Sequence, residues 1–168
     1  AYEPTVVDDT VYIGGDGPET DDNGYGIYAL DATTGEEQWK FTNIQDYPSG
    51  APTVTDGTVY VAESGLDDET SAVYAIDAET GDLQWESDEP DAEMAVPPTV
   101  FDGTLYVASQ DTNLYAIDTA SGETEWVFKE NNRQLYSAPL VADGRVYFGS
   151  GGSGIPTYHS ALHVSVSC

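Results

Sequence analysis

Residues 74–85 read YAIDAETGDLQW, and the phrase stands twice more, as YALDATTGEEQW at 28–39 (counted from Tyr28) and YAIDTASGETEW at 115–126. A second phrase precedes each copy. It reads PTVVDDTVYIG at 4–14, PTVTDGTVYVA at 52–62 and PTVFDGTLYVA at 98–108, and it returns a fourth time as PLVADGRVYFG at 139–149. Pro4, Pro52, Pro98 and Pro139 are separated by 48, 46 and 41 residues, and Trp39, Trp85 and Trp126 by 46 and 41. A period in the forties suits a unit of four strands.

The second unit sets out those strands. Strand A covers 51–55 and begins near Pro52, where a missing N–H is tolerated. Asp56-Gly57 makes a two-residue hairpin turn, because Gly accepts positive φ. Strand B is 58–62 and strand C is 72–77; Thr80-Gly81 closes a second tight turn before strand D, which runs from Leu83 to Trp85. Strands B and C are apolar on both faces, as Val59, Tyr60, Val61 and Val73, Tyr74, Ala75, Ile76 show. Such strands are covered on both sides, whereas a sheet with one wet face alternates. Sheets sandwiched between copies of themselves around an axis are propeller blades. The expected fold is therefore all-β: a β-propeller of four-stranded antiparallel blades, three complete and a fourth partial. It forms one partial domain over 1–168, with units at about 1–46, 47–93, 94–134 and 135–168. No segment joins an N-cap to apolar residues at helical spacing, so no helix is expected. The tail from His159 to Cys168 leaves the repeat, with His163 read at the place of the strand-C tyrosine.

The phrase Y-A-[IL]-D-[AT]-x-[TS]-G-x-x-x-W resembles the tryptophan-docking repeat of the PQQ-like, quinoprotein-type β-propellers. The WD40 pattern fits less well, because Lys, Glu and Val follow the three tryptophans, never Asp. Kelch repeats want a Gly pair in each unit, and units two and three have none at the matching place. The resemblance implies that the tryptophan of one blade lies on the backbone of the next. It makes Trp39, Trp85 and Trp126 structural, together with Gly35, Gly81 and Gly122. Indole suits that task, since it buries a large apolar area and offers one N–H to a carbonyl. Propellers of this family usually have eight blades. The four units here fit half of such a ring, completed by a second copy as a homodimer or by more of the same chain; a small closed ring of four is the other arrangement.

Acidity sets further bounds. Thirty-one acidic residues against four basic ones, 4 − 31, give a net charge of −27 over 168 residues. A nucleic-acid binder needs a basic stripe, and this chain has none. The same charge excludes a basic membrane-surface helix. No apolar run reaches the ~20 residues of a transmembrane helix. Charge of this size opposes a compact state through self-repulsion. Screening to about 3 Å at 1 M salt removes most of that penalty. The composition resembles that of proteins from extreme halophiles, so the expected setting is strong brine. The first residues, Ala-Tyr-Glu-Pro, are expected to belong to a processed form or an excised fragment.

Topology places the working face. In an up-and-down blade the A–B and C–D turns share one side, and the B–C and D–A connections share the other. The turns are short and alike. The B–C loops (14–26, 63–71, 109–113, 149–159) and the D–A loops (41–50, 86–96, 128–137) are long and dissimilar. Variable loops on a rigid scaffold commonly carry binding. Asp16, Glu19, Asp21, Asp22 and Asn23 form one acidic cluster, and Asp67, Asp68 and Glu69 another. Asp16, Asp21, Asp67 and Asp68 are thus weak metal candidates. Neither loop has the spacing of a calcium-binding loop, and solvated halophile acid is the plainer reading. Lys129, Arg133 and Tyr136 stand in the third D–A loop and Tyr47 in the first, which makes them candidate partner contacts.

Catalysis finds little support. His159 and His163 lie in the atypical tail, and Cys168, the sole cysteine, ends the sequence. Two readings follow from the resemblance. One is a non-catalytic scaffold that binds a protein or polymer, similar to the outer-membrane assembly lipoprotein BamB and related exported repeat proteins; this implies an exported or cell-surface location and no cofactor. The other is a fragment of a quinoprotein dehydrogenase. That alternative implies PQQ, calcium and an adjacent Cys-Cys disulfide, and this sequence has no Cys-Cys pair.

Overall fold

The computed structural model describes residues 3–16, 25–44, 46–64, 71–87, 94, 96–129, 134–151 and 160–165. All of the regular structure among them is β. Blade 1 holds β1 (Thr5–Val7), β2 (Thr10–Asp16), β3 (Tyr25–Asp31) and β4 (Glu37–Phe41). Blade 2 holds β5 (Tyr47–Thr55), β6 (Thr58–Ser64), β7 (Val73–Asp77) and β8 (Leu83–Ser87). Blade 3 holds β9 (Thr99–Phe101), β10 (Thr104–Ala108), β11 (Asn113–Asp118) and β12 (Thr124–Lys129). In each, the strands lie side by side in chain order and antiparallel. Blade 4 differs. Its inner strand is split into β13 (Gln134–Leu135) and β14 (Leu140–Ala142), both paired with β15 (Arg145–Gly151), and β16 (Ser160–Ser165) lies on the other side of β15.

That register corrects one expectation. His163 stands opposite Tyr147, as Ala29 stands opposite Tyr12 and Ala75 opposite Tyr60. Leu162, opposite Phe148, holds the place of the strand-C tyrosine. A one-residue shift in reading the tail moves every position to the other face.

The A–B turns owe their tightness to paired left-handed residues. Asp56 and Gly57 have φ of 49° and 75°, and Asp102-Gly103 and Asp143-Gly144 repeat the pattern, which is the primed hairpin turn. The C–D turns rest on an aspartate. Asp77 Oδ1 accepts from the Glu79 N–H at 3.0 Å, the Thr80 N–H at 2.9 Å and the Thr80 hydroxyl at 3.1 Å. Asp31 and Asp118 do the same in blades 1 and 3. Backbone N–H donors hold the carboxyls of Asp31 and Asp77 below the usual range; at Asp118 the Ser121 hydroxyl leads.

A bulge then aims the outer strand. The C–D register shifts between Ala29/Leu30, Ala75/Ile76 and Ala116/Ile117. The extra residues are Gln38, Gln84 and Glu125, whose side chains accept from Thr10, Thr58 and Thr104 at 3.4, 3.2 and 3.1 Å. Bulges commonly re-aim a neighbouring side chain, and here each is next to the tryptophan.

Three cores lie between blades, one at each junction. At the first, Trp39 of blade 1 covers Gly81 of blade 2, where an added Cβ would stand 2.8 Å from the ring. Its Nε1–H donates to the Ala78 carbonyl at 3.0 Å. At the second, Trp85 covers Gly122 and donates to the Thr119 carbonyl at 2.8 Å. Trp126 belongs to the third core, with Tyr106 beside it at 6.0 Å. The inner strands are linked in series as well: Thr5, Thr53 and Thr99 donate their hydroxyls to the carbonyls of Pro52, Pro98 and Pro139 in the following blade, at 2.6, 2.6 and 2.5 Å. Burial follows from position. β6, with a blade on each side, is buried throughout, whereas β3 alternates because only one of its faces meets a blade.

Candidate functional site

The face that carries the B–C and D–A connections is less loop-like than its sequence suggests. Each D–A connection buries an apolar side chain in a junction, Ile44 in the first core, Met94 in the second and Leu135 in the third, and Val96 of the second connection packs against the third core as well. Strand β2 reaches Asp16, β6 reaches Ser64 and β5 begins at Tyr47, so the strands extend into segments that read as loops.

One buried acid organises this face between blades 1 and 2. Glu63 sits on β6 at 2% exposure, at the place held by Gly15 in blade 1 and Ser109 in blade 3. Its Oε2 accepts from the Tyr74 hydroxyl at 2.6 Å, and its Oε1 accepts from the Asp46 backbone N–H. Burial pushes the Tyr74 phenol well above its usual range, and the Glu63 carboxylate adds to that. Both oxygens of the acid are therefore engaged, and its neighbour is a phenol held protonated. This is a staple fixing the first D–A connection to blade 2. Blade 3 solves the same problem from another position: the Tyr115 hydroxyl donates to Asp111, whose Oδ1 and Oδ2 also accept from Asn113 at 2.8 and 2.9 Å. A charged residue inside the apolar phrase VYVAE was the available signal for Glu63, and the repeat comparison did not single it out.

Of the sequence-derived contact residues, Tyr47 opens β5 at 40% exposure, and its ring lies 4.2 Å from that of Tyr25. Tyr136 is 45% exposed just after β13, with its hydroxyl donating to Gln134 Oε1. The two tyrosines are not equivalent: Tyr47 pairs with Ser64, whereas the Tyr136 N–H reaches the carbonyl of Gly149, the counterpart of Ala62, two positions before that of Ser64. Lys129 ends β12, opposite Asn113. Arg133 lies outside the described residues. The aromatic partner Tyr25 was missed, because the first B–C loop appeared to run through 26.

The metal candidates gain no geometry. Asp16 ends β2, paired with Tyr25 through the backbone, and Asp21, Asp67 and Asp68 lie outside the described residues. Among the described residues no three His, Cys, Asp or Glu side chains gather around one point. The inner strands use their threonines to join the blades. Their Thr5, Thr53 and Thr99 hydroxyls already donate between blades, and Val6, Val54 and Val100 stand next to them. On the opposite side a groove of about 460 Å³ opens between blades 1 and 2, lined by Tyr12, Asp56, Asp77, Ala78 and Glu79 among others. It lies over the carbonyl of Ala78 that receives Trp39 and Tyr12, and so belongs to the first junction.

The family model described as outer membrane protein assembly factor BamB matches residues 69–160. No curated protein matches the chain in sequence. Among solved structures, BamB from Moraxella catarrhalis is similar with a TM-score of 0.65 at 20% identity, over 84% of this chain and 40% of that one. The quinohemoprotein alcohol dehydrogenase from Comamonas testosteroni gives 0.68 at 17%, over 88% and 28%. The computationally designed Ika4 protein gives 0.77 at 15%, over 99% and 92%. At these identities the likeness is one of fold. The chain spans about two fifths of the BamB structure, at 40%.

Proposed function

The chain belongs to the family described as outer membrane protein assembly factor BamB, and from that premise we propose that it is a PQQ-like propeller scaffold that binds other polypeptides or polymers without catalysing a reaction on them. One observation carries the reading. On the loop face, the buried acid and phenol, Glu63 and Tyr74, satisfy each other, while among the described residues there the exposed large aromatics are Tyr47 and Tyr136. A face built this way offers area and hydrogen-bonding rims, which is what docking needs. The BamB of the similar structure is named for assembly of outer membrane proteins, which supports extended polypeptides as the first class to test. The reading includes no PQQ and no calcium, an exported or cell-surface setting in strong brine, and a ring completed by a second copy or by further repeats.

A peptide array tests it. Labelled chain in molar KCl is passed over short extended peptides with alternating apolar residues. The expected result is capture on a defined subset, weakened about tenfold by Tyr47→Ser with Tyr136→Ser, with tryptophan emission unchanged. Capture that ignores both substitutions would remove the loop face from the proposal.

A further inference from the structure

One acid stands where the other units place none. In the repeat, Glu63 of β6 matches Gly15, Ser109 and Ser150. The blade is thus built without a carboxylate at this position in the other three units. A buried charge costs stability unless it is paired and hydrogen-bonded. Glu63 is 2% exposed and uses both oxygens: Oε2 accepts from the Tyr74 hydroxyl at 2.6 Å, and Oε1 accepts from the Asp46 backbone N–H. What the charge holds is the start of β5. The Asp46 carboxylate accepts from the Tyr47 N–H at 2.7 Å, Pro48 lies opposite Glu63, and the Tyr47 ring lies 4.2 Å from that of Tyr25. Contacts therefore run from the buried acid, through the Asp46 backbone, to an aromatic group that is 40% exposed on the loop face.

The titratable groups around this acid are acids and phenols. Tyr74 comes from β7, and Glu86, opposite it, from β8. Asp46 and Tyr47 come from the first D–A connection and Tyr25 from β3, with Asp16 of β2 at the register position opposite Tyr25. Strand β4 gives Trp39 and Phe41 to this core, and Lys40 between them lies on the other face.

We propose that Glu63 is a positioning residue for the loop face: charged, it holds the start of β5 so that Tyr47 is presented against Tyr25, and on taking up a proton it lets that segment go. The inference rests on the scaffold reading in taking Tyr47 as a contact group, and it adds regulation by acid to that reading. A carboxylate accepts at both oxygens, whereas the neutral acid carries a donor on one of them. The Asp46 N–H and the Tyr74 hydroxyl are both donors as placed. Tyr74 cannot make room by losing its own proton, because burial and the carboxylate beside it keep the phenol protonated. Its hydroxyl can turn to accept, but both bonds then fall to neutral strength, roughly half that of a charge-assisted one. Docking through Tyr47 is then expected to weaken in acid.

The free chain in molar KCl tests this. Amide hydrogen exchange is followed residue by residue by NMR and divided by the intrinsic rate at each pH. Protection of the Asp46 and Tyr47 amides is expected to fall together, about tenfold between about pH 7 and about pH 4, while the amides of β10 and β11 keep theirs. Glu63→Gln keeps the shape and an acceptor but not the charge. It should show the lower protection throughout, with no transition. Tyr74→Phe removes one donor to the charged form, so its transition should move to higher pH. Asp46→Asn keeps the backbone N–H and should retain the transition, which excludes the neighbouring carboxyl as its source. A flat profile in the unaltered chain, the same transition in Glu63→Gln, its loss in Asp46→Asn, or a fall shared equally by β10 and β11 would overturn the proposal. No peptide enters the measurement, so failure here is separable from failure of the peptide array.

Discussion

In molar KCl or NaCl the chain is expected to give the blue-shifted tryptophan emission of buried indoles, and to lose it as salt falls below about 0.3 M. The cause is the net charge of −27, carried by 31 acids and 4 bases. At about 0.1 M salt the screening length is near 10 Å, so neighbouring surface carboxylates repel one another; at 1 M it is about 3 Å and most of that repulsion is gone. Folding brings the acids closer than they stand in the expanded chain, so the repulsion acts against the native state. The junctions opposing it are narrow, one core per blade pair. Domains are stable by only about 5–15 kcal/mol, which unscreened repulsion on this scale can exceed. Emission that stays unchanged from molar salt down to about 0.05 M would contradict the argument.

Trp39→Ala is expected to be the most damaging single truncation among the described residues, costing about 3–5 kcal/mol in urea unfolding at molar salt. The indole is buried, contacts Tyr12 at 5.9 Å and covers Gly81, and its N–H satisfies the Ala78 carbonyl. Truncation removes the packing and a hydrogen bond together. Gly81→Ala attacks the same contact from the other side. It combines the cost of a Cβ at positive φ, about 1–2 kcal/mol, with displacement of the ring. Gly57→Ala carries the backbone cost alone, because nothing lies within 4 Å of its Cβ position. The two glycine variants should therefore differ by more than 1 kcal/mol or so. Equal destabilisation by both would mean that the indole does not hold the junction.

The repeat made the blades readable because its physics is local. Asp-Gly fixes a primed turn, the aspartate of Y-A-[IL]-D nucleates the next one, and an apolar run on both faces demands a neighbour on each side. Strand ends were less readable. Tyr47, Pro48 and Ser49 form part of β5 because Ser64, Glu63 and Ala62 extend opposite them, a pairing that no local signal announces. The same holds for Met94 and Leu135, apolar residues in loop-like segments whose burial depends on the junction beneath. Tail register was misread for want of a turn to anchor it. At the loop face, the exposed tyrosines were found by their place in the D–A loops, Tyr136 near the rare cations Lys129 and Arg133, whereas Glu63 was hidden among 31 acids, and only the fold shows that it is the buried one among the described residues.

Equilibrium dialysis against PQQ and calcium in molar salt, followed by a dye-linked alcohol oxidation assay on the retained protein, decides between a scaffold and a quinoprotein. The scaffold account predicts no retention above the level of an unrelated acidic protein, and no turnover. Stoichiometric PQQ retention together with alcohol-dependent dye reduction would contradict it.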